Sequence, residues 1–190
     1  VERSRGLGDV YKRQAEDLPD ASFAGQQETF LNINGFDNLI DAVRKVYASL
    51  FTDRAISYRR LRNFKGSLSI SVGVQEMVRS DIGASGVAFT LDTESGYRGS
   101  IFITSSYGLG EGIVQGTVNP DEFYVFKEAL EKNDFPIIKK SLGEKAKKMI
   151  FADNNLPGKS VKYIRVPKKE TNKFSLTNSE IIELAKCAKT

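Results

Sequence analysis

The sequence predicts an α+β fold, and three observations carry that prediction. Apolar residues between 37 and 51 recur at helical spacing. From Leu68 the period drops to two, and strand candidates then follow in close succession. Near the C-terminus a capping-box pattern precedes another apolar helical run. Strands grouped between helices argue against a regular βαβ alternation and favour mixed or antiparallel sheets with flanking helices.

The first helix carries Leu39, Ile40, Val43, Val46, Tyr47, Leu50 and Phe51 on one face, with Asp37 as its candidate N-cap. A second helix is predicted from Asp53 to Arg62. Its Arg54, Arg59, Arg60 and Arg62 read as a solvated face more readily than as phosphate contacts. Leu68, Ile70, Val72 and Val74 then alternate with Ser69, Ser71 and Gly73, a half-buried strand leading into Gln75. Further strands are predicted at 86–91, 100–105, 122–126, 147–151 and 161–166. Gly83-Ala84-Ser85-Gly86 reads as a turn. Thr177-Asn178-Ser179-Glu180 opens the last helix before Ile181, Ile182, Leu184 and Ala185.

Composition narrows the function classes. A length of 190 residues suffices for a real core, and 40% hydrophobic with 27% charged residues is ordinary for a globular protein. A net charge of +4 is too small to argue for nucleic acid, although it suits anionic ligands. No apolar run approaches membrane-spanning length, and the first residues hold no signal-peptide core. Cys187 is the single cysteine, so no internal disulfide forms and a reducing, cytoplasmic setting is expected. The chain has no histidine, which excludes a Ser-His-Asp triad, a histidine-bound zinc and a phosphohistidine within it.

Two glycine-bearing stretches are candidates for ligand contact. The run Ala15–Phe30 joins the breakers Leu18-Pro19 and Ala24-Gly25 to small polar residues. Ser22, Gly25, Gln26, Gln27 and Thr29 leave backbone N–H and short polar groups able to face an anion. Such runs are more often plain connectors, and Glu16, Asp17 and Asp20 would repel phosphate without a metal or basic neighbour. The second stretch, Ser106–Gly116, follows a predicted strand but lacks the Walker lysine and the dinucleotide glycine spacing. It reads equally as a tight connection.

These stretches, with Ser49–Tyr58, Ser71–Thr93 and Ser106–Lys127, resemble the phosphoenolpyruvate synthase family over Ala15 to about Ala188. Pyruvate phosphate dikinases and rifampin phosphotransferases share the shorter motifs, whereas Asn119–Lys127 and Asp92–Arg98 look more like the synthase. The resemblance implies a partial ATP-grasp-type nucleotide-binding domain, in which ATP lies between two α+β lobes. Gly25 and Thr29 would lie beside the ATP phosphates, Gln75 near the adenine, and Glu111 is added from the glycine cluster's pattern. It further implies a phosphohistidine domain and a pyruvate-binding barrel elsewhere in the parent, and it is compatible with a homodimeric parent. A non-catalytic ATP-grasp-like module remains open.

Two departures from the family accompany the match. Residues 1–14 fit it nowhere and read as a foreign or disordered leader, leaving 15–190 as an incomplete ATP-grasp-like domain. Arg13 is out of register with the arginine that opens the family's loop. An acidic Asp-x-Glu pair for Mg2+ and a Gln-x-Arg strand would follow in the family, so the metal ligands are expected outside this chain. A piece lacking them is expected to bind ATP weakly, to show no turnover and to expose an aggregation-prone seam.

Overall fold

The computed structural model describes residues 9–13, 17–18, 21–22, 28–63, 70–132, 134–154 and 156–189. The chain divides into two compact units, Val1–Val78 with Phe151–Val161, and Arg79–Ile150 with Lys162–Thr190.

In the first unit the described elements are β1 (Asp9–Arg13), β2 (Asp17–Leu18), β3 (Ala21–Ser22), α1 (Phe36–Ser49), α2 (Asp53–Leu61) and β4 (Ser71–Gln75). β1, from the segment read as a leader, pairs antiparallel with β4 from Asp9↔Gln75 to Arg13↔Ser71. β2 and β3 form a two-residue hairpin inside the stretch read as an irregular loop. Ala42 and Val46 of α1 bury against Ile33, with Phe30, Leu39, Val43, Ile70 and Val72 packed around them. Leu39, Val43, Val46 and Leu50 of the predicted face are buried or packed on the core, whereas Tyr47 and Phe51 are 46% and 65% exposed, so the buried stripe is centred on Ala42 and Val46.

The cap of α1 differs from expectation. Gly35 occupies the N-cap with φ +83°, a conformation glycine adopts without strain, and Asp37 sits in the first turn. There its carboxylate favours the positive end of the helix dipole instead of capping it. α1 also stops at Ser49, short of Phe51, because the next residues turn the chain. Thr52 Oγ1 accepts from Ala55 N (3.3 Å) and caps α2.

The second unit runs through a 3-10 turn (Ser80–Ile82), β5 (Ala84–Phe89), β6 (Ser100–Tyr107), α3 (Glu111–Val114), β7 (Asp121–Phe126), α4 (Lys127–Glu131) and β8 (Ile137–Ser141). It continues with β9 (Lys147–Phe151), β10 (Val161–Arg165), α5 (Lys168–Thr171) and α6 (Asn178–Lys189). β5-β6-β7-β8 form an antiparallel sheet in that order, and β9 pairs with β10. Ile101, Ile103, Phe123 and Val125 line one face of the sheet and bury with Leu130, Ile181 and Ala185. The other face carries an aromatic ladder. Phe102 lies 6.2 Å from Phe89 and 4.7 Å from Tyr124 between ring centroids.

Ala84-Ser85-Gly86, read as a turn, is instead the start of β5. The small residues serve close pairing, since a Cβ at Gly86 would collide with the Thr104 carbonyl oxygen across the ladder. The α6 capping box forms as predicted. Glu180 N donates to Thr177 Oγ1 (3.3 Å), and Thr177 N donates back to Glu180 Oε2 (2.7 Å).

Candidate functional site

The glycine-rich stretch after β6 is built against the second unit's own backbone. Gly108 has φ +87°, and a Cβ there would stand 2.5 Å from Met149 O and 3.0 Å from Lys148 Cβ. Glycine is thus required twice over, by backbone angle and by space. Gly108 N donates to Gly83 O (3.0 Å), Leu109 N to Met149 O (2.9 Å), and Ser85 Oγ to Gly108 O (2.6 Å). These groups are consumed by protein partners, which gives this part of the stretch a structural use.

Further along, Gly112 O gathers three donors: Thr117 N (3.0 Å), Val118 N (3.2 Å) and Thr117 Oγ1 (3.1 Å). With the Thr117 proton so committed, Tyr163 donates its own to Thr117 Oγ1 across 2.8 Å. Lys147 Nζ lies 4.7 Å above the Tyr163 ring. Glu111 opens α3, half-buried, and Gln115 Nε2 donates to its Oε1 (2.7 Å).

The remaining sequence-derived site residues belong to the first unit. Gly25 and Gln26 lie outside the described residues, and Ser22 is described only as backbone in β3. Thr29 is half-buried. Gln75 is exposed at the end of β4, followed by the non-regular segment 76–79. Asn32 N approaches Met77 Sδ at 2.9 Å, which anchors that segment. No backbone–backbone bond is made by Glu76, Met77 or Val78 among the described residues, so edge groups are presented there.

Two buried carboxylates escaped the sequence reading. Asp81 is paired by both nitrogens of one Arg79 edge, Nε to Oδ1 at 2.8 Å and Nη2 to Oδ2 at 2.9 Å. The Arg79 hydrogen bonds hold its carboxyl below the ordinary aspartate value against the opposing effect of burial. Asp121 forms an ion pair with Lys145 and accepts from Gly143 N (2.8 Å), Ser175 N (2.7 Å) and Ser175 Oγ (2.8 Å). Its signal was available: Asp121 alternates in phase with inward-facing Phe123 and Val125. Burial also raises the Tyr107 phenol, which is bonded to Glu170 O (3.3 Å).

Comparison with known proteins bears on this arrangement. Residues 13–190 match the family described as pyruvate phosphate dikinase, AMP/ATP-binding domain. The chain is 61% identical over 177 residues to a phosphoenolpyruvate synthase of Neisseria meningitidis serogroup B, covering 93% of this chain and 22% of that protein. It is 58% identical to the Pseudomonas aeruginosa phosphoenolpyruvate synthase, over 92% of this chain and 22% of that protein. Against the Escherichia coli phosphoenolpyruvate synthase it is 55% identical, with the same coverage of 92% and 22%. The chain thus spans about a fifth of the length of the relatives it matches. A match reaching from β1's last residue through α6, and therefore across both units, places the chain in the pyruvate phosphate dikinase AMP/ATP-binding domain family.

Proposed function

We propose that the chain is nucleotide-binding sequence of a phosphoenolpyruvate synthase, whose reaction is ATP + pyruvate + water to phosphoenolpyruvate + AMP + phosphate. The observation that carries this reading is the 61% identity to such a synthase over 93% of the chain. The absence of histidine from the sequence fits a phosphoryl acceptor located on another segment of the parent. A pyruvate-binding barrel and any dimer contact belong, on this reading, to the parent as well. So does the cytoplasmic setting.

Within the chain, the proposal gives Gly25 and Thr29, with Ser22 and Gln26 beside them, to the nucleotide phosphates. Gln75 and the backbone edge at 76–78 take the base, and an ATP-grasp arrangement would bring the two regions to one nucleotide. The segment after β4, where Glu76, Met77 and Val78 make no backbone–backbone bond among the described residues, supports this, because base edges are read well by fixed N–H and C=O groups. Glu111 remains a candidate on the second unit, where Gln115 holds its carboxylate. Among the described residues no group of three or more His, Cys, Asp or Glu side chains is placed to hold a metal ion. On this reading the magnesium ligands are the acidic pair that the family resemblance places outside this chain, and what these residues contribute is positioning.

The test uses the parent protein. Pyruvate-dependent formation of AMP from ATP is expected, with Thr29→Val and Gln75→Ala raising the KM for ATP about tenfold through lost hydrogen bonds. ATP consumption driven by rifampin instead of pyruvate would overturn the reading.

A further inference from the structure

Charge in this protein is strongly segregated. Between residues 137 and 173 the sequence has eleven basic and three acidic residues, while the rest carries seventeen and twenty-one. A solvated face normally interleaves the two signs, because like neighbours repel and opposite ones attract. On the second unit Lys147, Lys148, Arg165, Lys168, Lys169 and Lys173 break that pattern. None of the six forms a salt bridge among the described residues.

The fold brings Lys147 and Arg165 side by side and carries the chain from there into Lys168 and Lys169. Val166 N donates to Ala146 O (3.1 Å), which sets Arg165 beside the start of β9 and Lys147. Pro167 then leads directly into α5 with Lys168 and Lys169, and the Tyr107 hydroxyl anchors that turn at Glu170 O. At the far end Lys140 Nζ lies 4.7 Å over the Phe174 ring, next to Lys173. Tyr163, two residues before Arg165 and so on the same face of β10, is 38% exposed with Lys147 over its ring. An exposed aromatic side chain set among arginine and lysine suits a protein interface better than a purely solvated surface.

We propose that this band, from β9 through the end of β10 to α5, is a docking surface for an acidic polypeptide. Polypeptide is favoured over nucleic acid by two observations. The whole chain carries only +4. The relatives it matches are proteins of which it covers 22%, so most of what can lie against it in such a protein is polypeptide. The surface requires a carboxylate-rich partner presenting at least one apolar side chain to Tyr163.

The experiment titrates the chain with a fluorescent glutamate-rich peptide and, separately, with single-stranded RNA of equal charge. Peptide binding is expected to weaken about tenfold or more in K147E/R165E/K169E. It should stay unchanged in R54E/R60E/R62E, which makes the same charge change on α2 and the residue that follows it. Hydrogen exchange on the unaltered chain should show peptide-dependent protection at 146–148 and 163–170. Equal weakening by both triple variants would reduce the effect to net charge and overturn the proposal. Tighter binding of the RNA, protection confined to other residues, or no peptide binding at low salt would overturn it too.

Discussion

Asp121 and Lys145, twenty-four positions apart, form an ion pair whose two side chains are completely excluded from solvent. Both carboxylate oxygens of Asp121 are hydrogen-bonded, and the Lys145 ammonium has two acceptors. Asp121 Oδ1 takes Gly143 N and the ammonium, Oδ2 takes Ser175 N and Oγ, and Lys145 Nζ also donates to Gly143 O at 2.9 Å. The pair thereby ties the start of β7, the turn before β9 and the approach to α6 into one node. Lys145 accepts φ +43° to reach it, a left-handed conformation that few lysines adopt.

Lys145→Met should therefore cost about 3–5 kcal/mol, since it leaves a buried carboxylate without its cation. Asp121→Leu should be comparably damaging, and the double variant should lose at least about 2 kcal/mol less than the sum of the singles. Urea denaturation followed by circular dichroism measures all three. Strict additivity would mean that the two groups do not stabilise each other.

Gly108→Ala should cost about 2–4 kcal/mol, because the alanine meets both a left-handed φ and the Met149 carbonyl. Gly116→Ala makes a clean comparison. Its φ is +65°, but nothing lies within 4 Å of the added Cβ, so only about 1 kcal/mol of backbone strain is expected. Equal losses in thermal melts would show that space at Gly108 does not matter.

What was legible in the sequence follows from the range of the forces involved. α1, β6, β7, β9, β10 and the Thr177 capping box rest on local periodicity or local hydrogen bonds, and all lie where the pattern put them to within a few residues. β8 was missed because Ile137-Ile138-Lys139-Lys140 does not alternate, its partner β7 supplying the register across a bulge near Tyr124. α4 and α5, five and four residues long, are too short to show a 3.6 period. Ala84–Gly86 looked like a turn because its small residues answer the backbone of Thr104, eighteen or more positions later. The Asp121–Lys145 node was invisible for the same reason. At the candidate site, Thr29 stood out only as one small polar residue in a run that reads equally as a connector, and Gln75 was named by resemblance, since neither residue type declares a ligand by itself.

Thr177→Ala removes the hydroxyl that receives Glu180 N and should lower stability by about 1 kcal/mol. The effect should reach the whole second unit, because α6 contributes Ile181 and Ala185 to its core. Thr177→Ser should restore most of the loss by keeping the acceptor. A melting temperature indifferent to both changes would mean that the capping box adds nothing to the packing of α6.

The Asp81–Arg79 pair makes stability depend on pH with a definite sign. Hydrogen bonds from Arg79 lower the folded-state pKa of Asp81, so near the carboxylate range the unfolded chain binds the proton more readily. The stabilisation is complete above the unfolded aspartate value of about 3.9. It is lost as pH falls through the lower folded value. Asp81→Asn should therefore be less stable than the parent sequence at neutral pH, with a gap that closes below about pH 4. Arg79→Gln should show the same closing gap, because it removes the partner that lowers the pKa. Urea midpoints measured from neutral to acidic pH decide the matter. A gap of constant size across that range would assign the loss to packing at the 93% buried Asp81 side chain instead of to its charge.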